Sequence, residues 1–272
     1  MVKVAGFLVL GIVFTFVISH ECFSQKLNKS YYPRLSIEAK DTVEVAVDSL
    51  YIDTLILADH SVLRFTMNNT ILIMENAYIG TNCIFLGSGQ SGGDAKPVNF
   101  LQGELNGEDG KNGLNLKIFI VIKALGSFTV QTTGGDGGNG ARGRRGEDGQ
   151  NATIGGNDGA RGENGGNGGN GGNGGNLQFY YTCDGFNPVF NSSRGSKNAI
   201  TLNLADGNPG SGGIGGIGGR GGWPIYHQSP EPNGGLATSA TGVNGRDGSA
   251  GFPGVSGKVG SDGELILKRI PD

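Results

Sequence analysis

Histidine and cysteine are rare in this chain, and the residues that could carry catalysis or bind a metal form no recognisable motif. The 272-residue sequence holds three histidines and three cysteines. His60 and His227 are far apart, and no Cys/His group has the spacing of a metal site. Matches to G-x-G-x-x-G arise from glycine composition alone, without the strand–turn–helix context that such a motif needs. The sequence therefore predicts a protein that is not an enzyme, without catalytic, cofactor-binding or metal-binding residues.

An aromatic segment interrupts the last glycine-rich stretch and is the best candidate for a binding site. Residues 223–232 read WPIYHQSPEP and include the only tryptophan. Aromatic rings that carry polar groups suit sugars or protein receptors. Trp223, Tyr226 and His227 are therefore candidate contacts for a surface glycan or a protein receptor. The alternative is a clasp, in which Trp223 and Tyr226 close the end of the glycine-rich segments.

Two further cysteines remain once the N-terminal segment is set aside. Cys83 and Cys183 would form a single disulfide in an oxidising compartment if their strands brought them together. Two buried thiols, packed as small apolar side chains, fit the sequence equally well. The sequence leaves both alternatives open.

The N-terminus has the pattern of a secretory signal. Lys3 precedes an apolar stretch over residues 4–18, which is shorter than a comfortable membrane span. Small residues at Cys22 and Ser24 predict cleavage after Ser24. We therefore expect a secreted, periplasmic or cell-surface protein with no transmembrane span after cleavage. A lipid anchor on Cys22 is the alternative, although the polar residues before it do not suit that signal.

Short β-branched segments follow the signal and predict a β-rich core. Residues 54–63 (TLILADHSVL) align with residues 70–79 (TILIMENAYI) at an offset of 16 residues. Repeats of this kind are typical of a β-solenoid, and a small antiparallel sandwich is the alternative. No stretch shows a sustained helical period, so we expect little helix.

Glycine recurs at every third position in long runs. It supplies 54 residues, and it keeps phase through residues 134–149, 156–174, 212–221 and 242–263. A flexible linker has no reason to keep phase, whereas polyproline II has three residues per turn and places every third residue on one edge. An edge of glycines lets neighbouring backbones touch, so that N–H groups reach carbonyls on the next segment. The pattern predicts glycine-rich hairpins packed as a bundle.

The resulting fold class is mainly β plus polyproline II, with a small β-solenoid-like or sandwich core that carries the glycine-rich hairpins. The predicted divisions are a signal peptide (1–24), a β-rich core (25–133) with a first glycine excursion (87–113), a glycine-rich hairpin (134–176), returning strands and a loop (177–206), a collagen-like hairpin (207–263) and a terminal strand (264–272). The net charge of −3 gives no reason to expect nucleic acid as a partner.

The glycine runs carry a resemblance to known proteins. Residues 242–253 (GVNGRDGSAGFP) resemble bacterial collagen-like repeats. The doublets that begin GGNGGN at residue 165 resemble polyglycine-II bundle proteins, among them the snow flea antifreeze protein and the adhesin tips of some phage tail fibres. The resemblance covers residues 134–176 and 207–263, and in the phage adhesins the tip loops determine the receptor.

These observations together predict a secreted structural or adhesive surface or matrix protein without catalysis. The first alternative is a receptor- or glycan-binding adhesin that uses the loop at residues 223–232. The second alternative is an ice-binding protein, in which the asparagine edge from Asn164 to Asn176 forms an ordered polar surface.

Overall fold

The computed structural model describes residues 25–96, 105–152, 155–192, 196–225, 227–230, 233, 236–239 and 243–271. Within these ranges the chain forms β-strands, turns and extended segments, and no helix. Accordingly, the described chain offers no helix that would cross a bilayer. The predicted signal peptide (1–24) lies outside the described residues, and so does Tyr226.

The strands vary in length from two to ten residues. In chain order they are β1 (Gln25–Leu27), β2 (Tyr31–Ile37), β3 (Thr42–Val45), β4 (Ser49–Leu57), β5 (Val62–Phe65), β6 (Thr70–Ile79), β7 (Cys83–Leu86), β8 (Leu116–Leu125), β9 (Ser127–Gln131), β10 (Leu177–Cys183), β11 (Val189–Phe190), β12 (Ala199–Asn203), β13 (His227–Pro230), β14 (Leu236–Ser239) and β15 (Leu265–Arg269).

Two stacked parallel sheets form the core. Sheet I has seven strands in the order β1-β3-β5-β7-β9-β12-β11, and sheet II has six in the order β15-β10-β8-β6-β4-β2. All pairing within both sheets is parallel. From β1 to β10 the chain changes sheet with every strand, while β13 and β14 form a separate antiparallel pair.

Successive side chains along each strand point to opposite faces of the sheet, so every second side chain lies in the core and the others face outward. In β6 the buried positions include Leu72, Met74, Ala77 and Ile79. Aromatic rings join the two sheets, since Phe128 of sheet I lies 6.1 Å from Phe179 of sheet II, centroid to centroid. Because both inner faces are apolar along their length, burial of these side chains is the main stabilising contribution in the core.

Turns with left-handed backbone connect the sheets at equivalent places. Lys40, His60 and Asn82 have φ values of 69°, 62° and 57°, and they lie between successive strands of sheets II and I. The His60 N–H donates to the Thr81 carbonyl at 2.9 Å, and the side chain is exposed. His60 is therefore a surface turn residue.

The glycine-rich runs form two layers of extended segments that continue the sheets. Outgoing segments leave sheet I, and returning segments enter sheet II. The outgoing segments are O1 (87–96), O2 (132–152) and O3 (204–225), and the returning segments are R1 (105–115), R2 (155–176) and R3 (243–264).

Backbone hydrogen bonds connect each segment to its neighbours at every third residue. Gly168 of R2 donates to Val255 of R3 at 2.9 Å, and Gly210 of O3 donates to Gly169 of R2 at 2.8 Å. The chains approach so closely that a Cβ on Gly216 would lie 1.7 Å from the Arg144 carbonyl oxygen. Glycine is required at such positions because any side chain would overlap a neighbouring backbone.

The predicted fold class was wrong. The core is neither a small β-solenoid nor an antiparallel sandwich, and the fold is not a polyproline-II bundle: it is a pair of all-parallel sheets with seven and six strands. The sequence alignment placed Thr54 opposite Thr70, whereas the structure pairs Thr54 with Asn76. The error arose because the first compared segment runs from β4 of sheet II into β5 of sheet I, whereas the second lies within β6 of sheet II.

Candidate binding faces

An aromatic row crosses the outer face of sheet II. Parallel register brings together five residues that are far apart in the sequence, each on a different strand. The aromatic row consists of Tyr31 on β2, Tyr51 on β4, Ile73 on β6, Phe119 on β8 and Tyr180 on β10. These positions alternate with core residues, so their side chains point away from sheet I.

Rings in the aromatic row pack against one another in defined geometry. Phe119 and Tyr180 stack with centroids 4.8 Å apart and planes 10° apart. The Lys117 Nζ lies 5.2 Å from the Phe119 centroid and 5.8 Å from the Tyr180 centroid, within the range of cation–π attraction. Tyr31 and Tyr51 form a second pair at 5.8 Å. The rings therefore form an ordered apolar surface with a cation at its side.

Carboxylates orient the two tyrosines at the β2 end of the row. The Tyr31 hydroxyl donates to Asp53 Oδ2 at 2.7 Å, and the Tyr51 hydroxyl donates to Glu75 Oε1. The hydrogen bond to Glu75 is the main cause that raises the pKa of Tyr51 to about 12, and the bond to Asp53 raises the pKa of Tyr31 in the same way. Both phenols therefore stay protonated to a higher pH than an ordinary tyrosine does.

An asparagine ladder runs along the returning segments on the same side of the molecule. The Oδ1 atoms of R1 accept hydrogen bonds from backbone N–H groups of R2, 61 residues further on, as in Asp109 to Asn170 at 2.6 Å. The Oδ1 atoms of R2 accept from R3, 88 residues further on, as in Asn170 to Lys258 at 2.8 Å. The Oδ1 atoms along the whole edge from Asn164 to Asn176 thus accept backbone hydrogen bonds from R3. Its signal in the sequence is Asn or Asp at every third position of adjacent segments.

The ladder and the aromatic row meet at a shallow depression. Its lining combines amide, apolar and cationic side chains and consists of Asn69, Ile71, Asn115, Leu116, Lys117, Asn176 and Gln178. Because Asn115 and Asn176 directly precede β8 and β10, the returning segments and sheet II present one continuous face. An extended ligand has room along this face.

The aromatic segment singled out in the sequence lies at the other end of the glycine segments. Trp223 is 60% exposed, and its backbone N–H donates to Asn151 Oδ1 at 2.8 Å. His227 is the first residue of β13, and Tyr226 lies outside the described residues. The structure therefore keeps Trp223 apart from the aromatic row and leaves its indole open to solvent.

The two cysteines lie in the hydrophobic core as buried thiols. Cys83 is on β7 of sheet I, and Cys183 is on β10 of sheet II. Burial raises the pKa of the Cys83 thiol, and Ser61 Oγ lies 3.6 Å from its sulfur. Both side chains therefore contribute to packing in the core.

The described part of the chain contains no group of three or more His, Cys, Asp or Glu side chains placed to hold a metal ion. Comparison with protein-family models, curated proteins and solved structures found no match to this chain. The physical character of the surfaces is thus the basis for any functional conclusion.

Proposed function

We propose that this protein is a secreted, non-catalytic adhesive surface protein that binds glycan chains on the outer face of sheet II. The observation that carries the proposal is the stacked pair formed by Phe119 and Tyr180, which are half-buried on the outer face of sheet II. The apolar face of a sugar ring packs on an aromatic ring, and the tyrosine hydroxyls add polar contacts at the edge.

The shape of the surface favours a chain over a small molecule. Small ligands are generally bound in concave pockets that enclose most of their surface. The aromatic row instead lies on an open sheet that continues into the asparagine ladder through the depression between Asn115 and Asn176. A polysaccharide would contact several rings at once, and the summed weak contacts would give useful affinity.

The local charges also support binding without hydrolysis. Glycoside hydrolysis needs one carboxylic acid and one carboxylate that face each other across the scissile bond. Here Asp53 and Glu75 accept hydrogen bonds from Tyr31 and Tyr51, so each carboxylate serves to orient a ring.

The proposal is tested with the double variant Phe119→Ala/Tyr180→Ala and a panel of insoluble polysaccharides. We expect the unaltered protein to be retained by at least one of cellulose, chitin and xylan. Because both stacking rings are removed, the double variant should bind that polysaccharide about tenfold more weakly, the equivalent of about 1.4 kcal/mol.

Tyr78→Ala is the matched control. Tyr78 also lies on the outer face of sheet II, is 44% exposed and is outside both the aromatic row and the depression. This variant should bind like the unaltered protein, and thermal unfolding should show that all three proteins are folded. Equal retention of the double variant, or no retention of the unaltered protein by any glycan in a wider array, would refute the proposal.

A further inference from the structure

A second ladder on the outgoing segments connects O2 to O3. Asp or Asn side chains of O2 accept hydrogen bonds from backbone N–H groups that lie 72 residues further on in O3. The rungs are Asp136 to Asn208 (2.7 Å), Asn139 to Ser211 (2.9 Å), Asp148 to Arg220 (2.7 Å) and Asn151 to Trp223 (2.8 Å). Each rung satisfies a backbone donor and fixes the register of the two segments.

Two consecutive rungs in the middle of this ladder are missing. At the same separation, Arg142 stands opposite Ile214 and Arg145 stands opposite Ile217. Arginine has no acceptor atom, so neither side chain can receive the N–H of the residue opposite. Both isoleucines are open to solvent, with exposed fractions of 59% and 52%.

The gap places charged and apolar groups together along one strip. The guanidinium strip consists of Arg142, Arg145, Ile214, Ile217, Arg220 and Trp223, and all six residues are exposed. Successive positions along each segment are three residues apart, which is about 10 Å of extended chain. O2 and O3 pack against the returning layer, so the strip faces away from the aromatic row.

The asparagine ladder between R2 and R3 also has one missing rung, but neighbouring side chains compensate for it. Arg161, which occupies that rung, lies 4.4 Å from the Phe252 ring centroid and donates to Asn164 Oδ1 at 3.3 Å. On the strip, Arg145 pairs with Asp148, whereas Arg142 has no side-chain partner among the described residues. Arg142 is therefore the uncompensated position, and positions that break a local structural rule without compensation are expected at functional sites.

We propose that the guanidinium strip is a second binding site, for an anionic polysaccharide. Guanidinium groups bind oxyanions such as carboxylates and sulfates through paired hydrogen bonds. The arginines follow one another along the strip, as the anionic groups do along a charged polysaccharide. The isoleucines and the indole of Trp223 supply apolar contacts for the faces of sugar rings. The net charge of the whole chain is −3, so attraction of an anionic polymer requires a local concentration of positive charge such as the arginines of this strip.

The test uses Arg142→Asn/Arg145→Asn, which restores both missing acceptors while removing both charges. We expect the restored rungs to leave the melting temperature unchanged or raise it. Affinity for polygalacturonate or dextran sulfate, measured by biolayer interferometry, should fall about tenfold, as expected for loss of charge-assisted contacts. Binding by the unaltered protein should weaken as salt is added. If the asparagine variant does not fold, Arg142→Gln/Arg145→Gln tests the same loss of charge.

Arg246→Asn/Lys258→Asn is the matched control, because it removes two positive charges from R3 on the opposite face. It should keep its affinity for the anionic polymer, and so should Phe119→Ala/Tyr180→Ala, whose defect concerns the aromatic row. An equal loss in the control, no binding of either anionic polymer, or preferential binding of vesicles that contain phosphatidylserine would overturn the proposal.

Discussion

Single glycines in the segment layers are under a steric constraint that differs from one position to the next. A Cβ on Gly168 would lie 2.1 Å from the Gly210 carbonyl oxygen, which belongs to a fixed backbone. A Cβ on Gly93 would have as its nearest neighbour the Glu108 carboxylate, 3.2 Å away at the end of a flexible side chain. Glycine is therefore indispensable at Gly168 and replaceable at Gly93.

We predict that Gly168→Ala lowers the free energy of unfolding by about 3 kcal/mol, because overpacking forces a backbone shift. Gly93→Ala should change it by less than about 1 kcal/mol. Chemical denaturation of both variants measures the difference. Equal stabilities would show that the segments do not pack as closely as the backbone hydrogen bonds indicate.

Tyr51 provides a residue-scale prediction on pH. Its hydrogen bond to Glu75 raises the pKa from 10.0 to about 12 in the folded protein. A raised pKa means that folding favours the neutral phenol, so this contribution to stability is complete below pH 10 and is lost between pH 10 and about 12. Ultraviolet titration should show a late-ionising tyrosine that Tyr51→Phe removes. Ionisation of all tyrosines together near their ordinary pKa would contradict the assigned hydrogen bond.

At the scale of elements, the asparagine ladder holds the returning segments in register. Asn170 takes part twice, since its backbone N–H donates to Asp109 and its Oδ1 accepts from Lys258. Replacing this side chain by one without an acceptor leaves the Lys258 N–H without its partner in R2.

We predict that Asn170→Ala lowers the free energy of unfolding by about 1 kcal/mol, the usual net value of one hydrogen bond. Asn170→Asp keeps an acceptor of the same shape, and its stability should stay close to that of the unaltered protein. Thermal unfolding of the pair is the measurement. Similar destabilisation by both substitutions would mean that the Oδ1 acceptor is unimportant.

Local patterns in the sequence predicted where strands and glycine segments occur, but they did not predict which of these elements pair with one another. Alternating apolar residues indicate β4 and β6, and the phase of the glycines indicates segments that need close neighbours. Register was missed, because the pairing of Thr54 with Asn76 depends on a strand of the other sheet that lies between them. The period of the apolar residues does not indicate which of the two sheets a strand belongs to.

At the scale of the whole molecule, the aromatic row shows why the candidate site was only partly predictable. Trp223 attracts attention in the sequence because it is the only tryptophan. Tyr31 and Tyr180 lie 149 positions apart in numbering and occupy one row only because four strand pairings connect them in register. Non-local pairing of this kind leaves no local mark. The aromatic row and the guanidinium strip lie on opposite faces of the molecule. If both bind as proposed, one molecule would bridge two polymers.

The continuity of strands and glycine segments has a consequence for misfolding. A glycine segment that slips by three residues brings glycines opposite the same edges again, so the segments alone distinguish poorly between correct and shifted registers. A strand that slips by an odd number exchanges its buried and exposed faces. Because each segment is continuous with a strand, a tolerated error must satisfy both periods and hence be six residues, or about 20 Å of chain. Each repetitive pattern alone permits many shifted registers. Together they exclude every shift smaller than six residues.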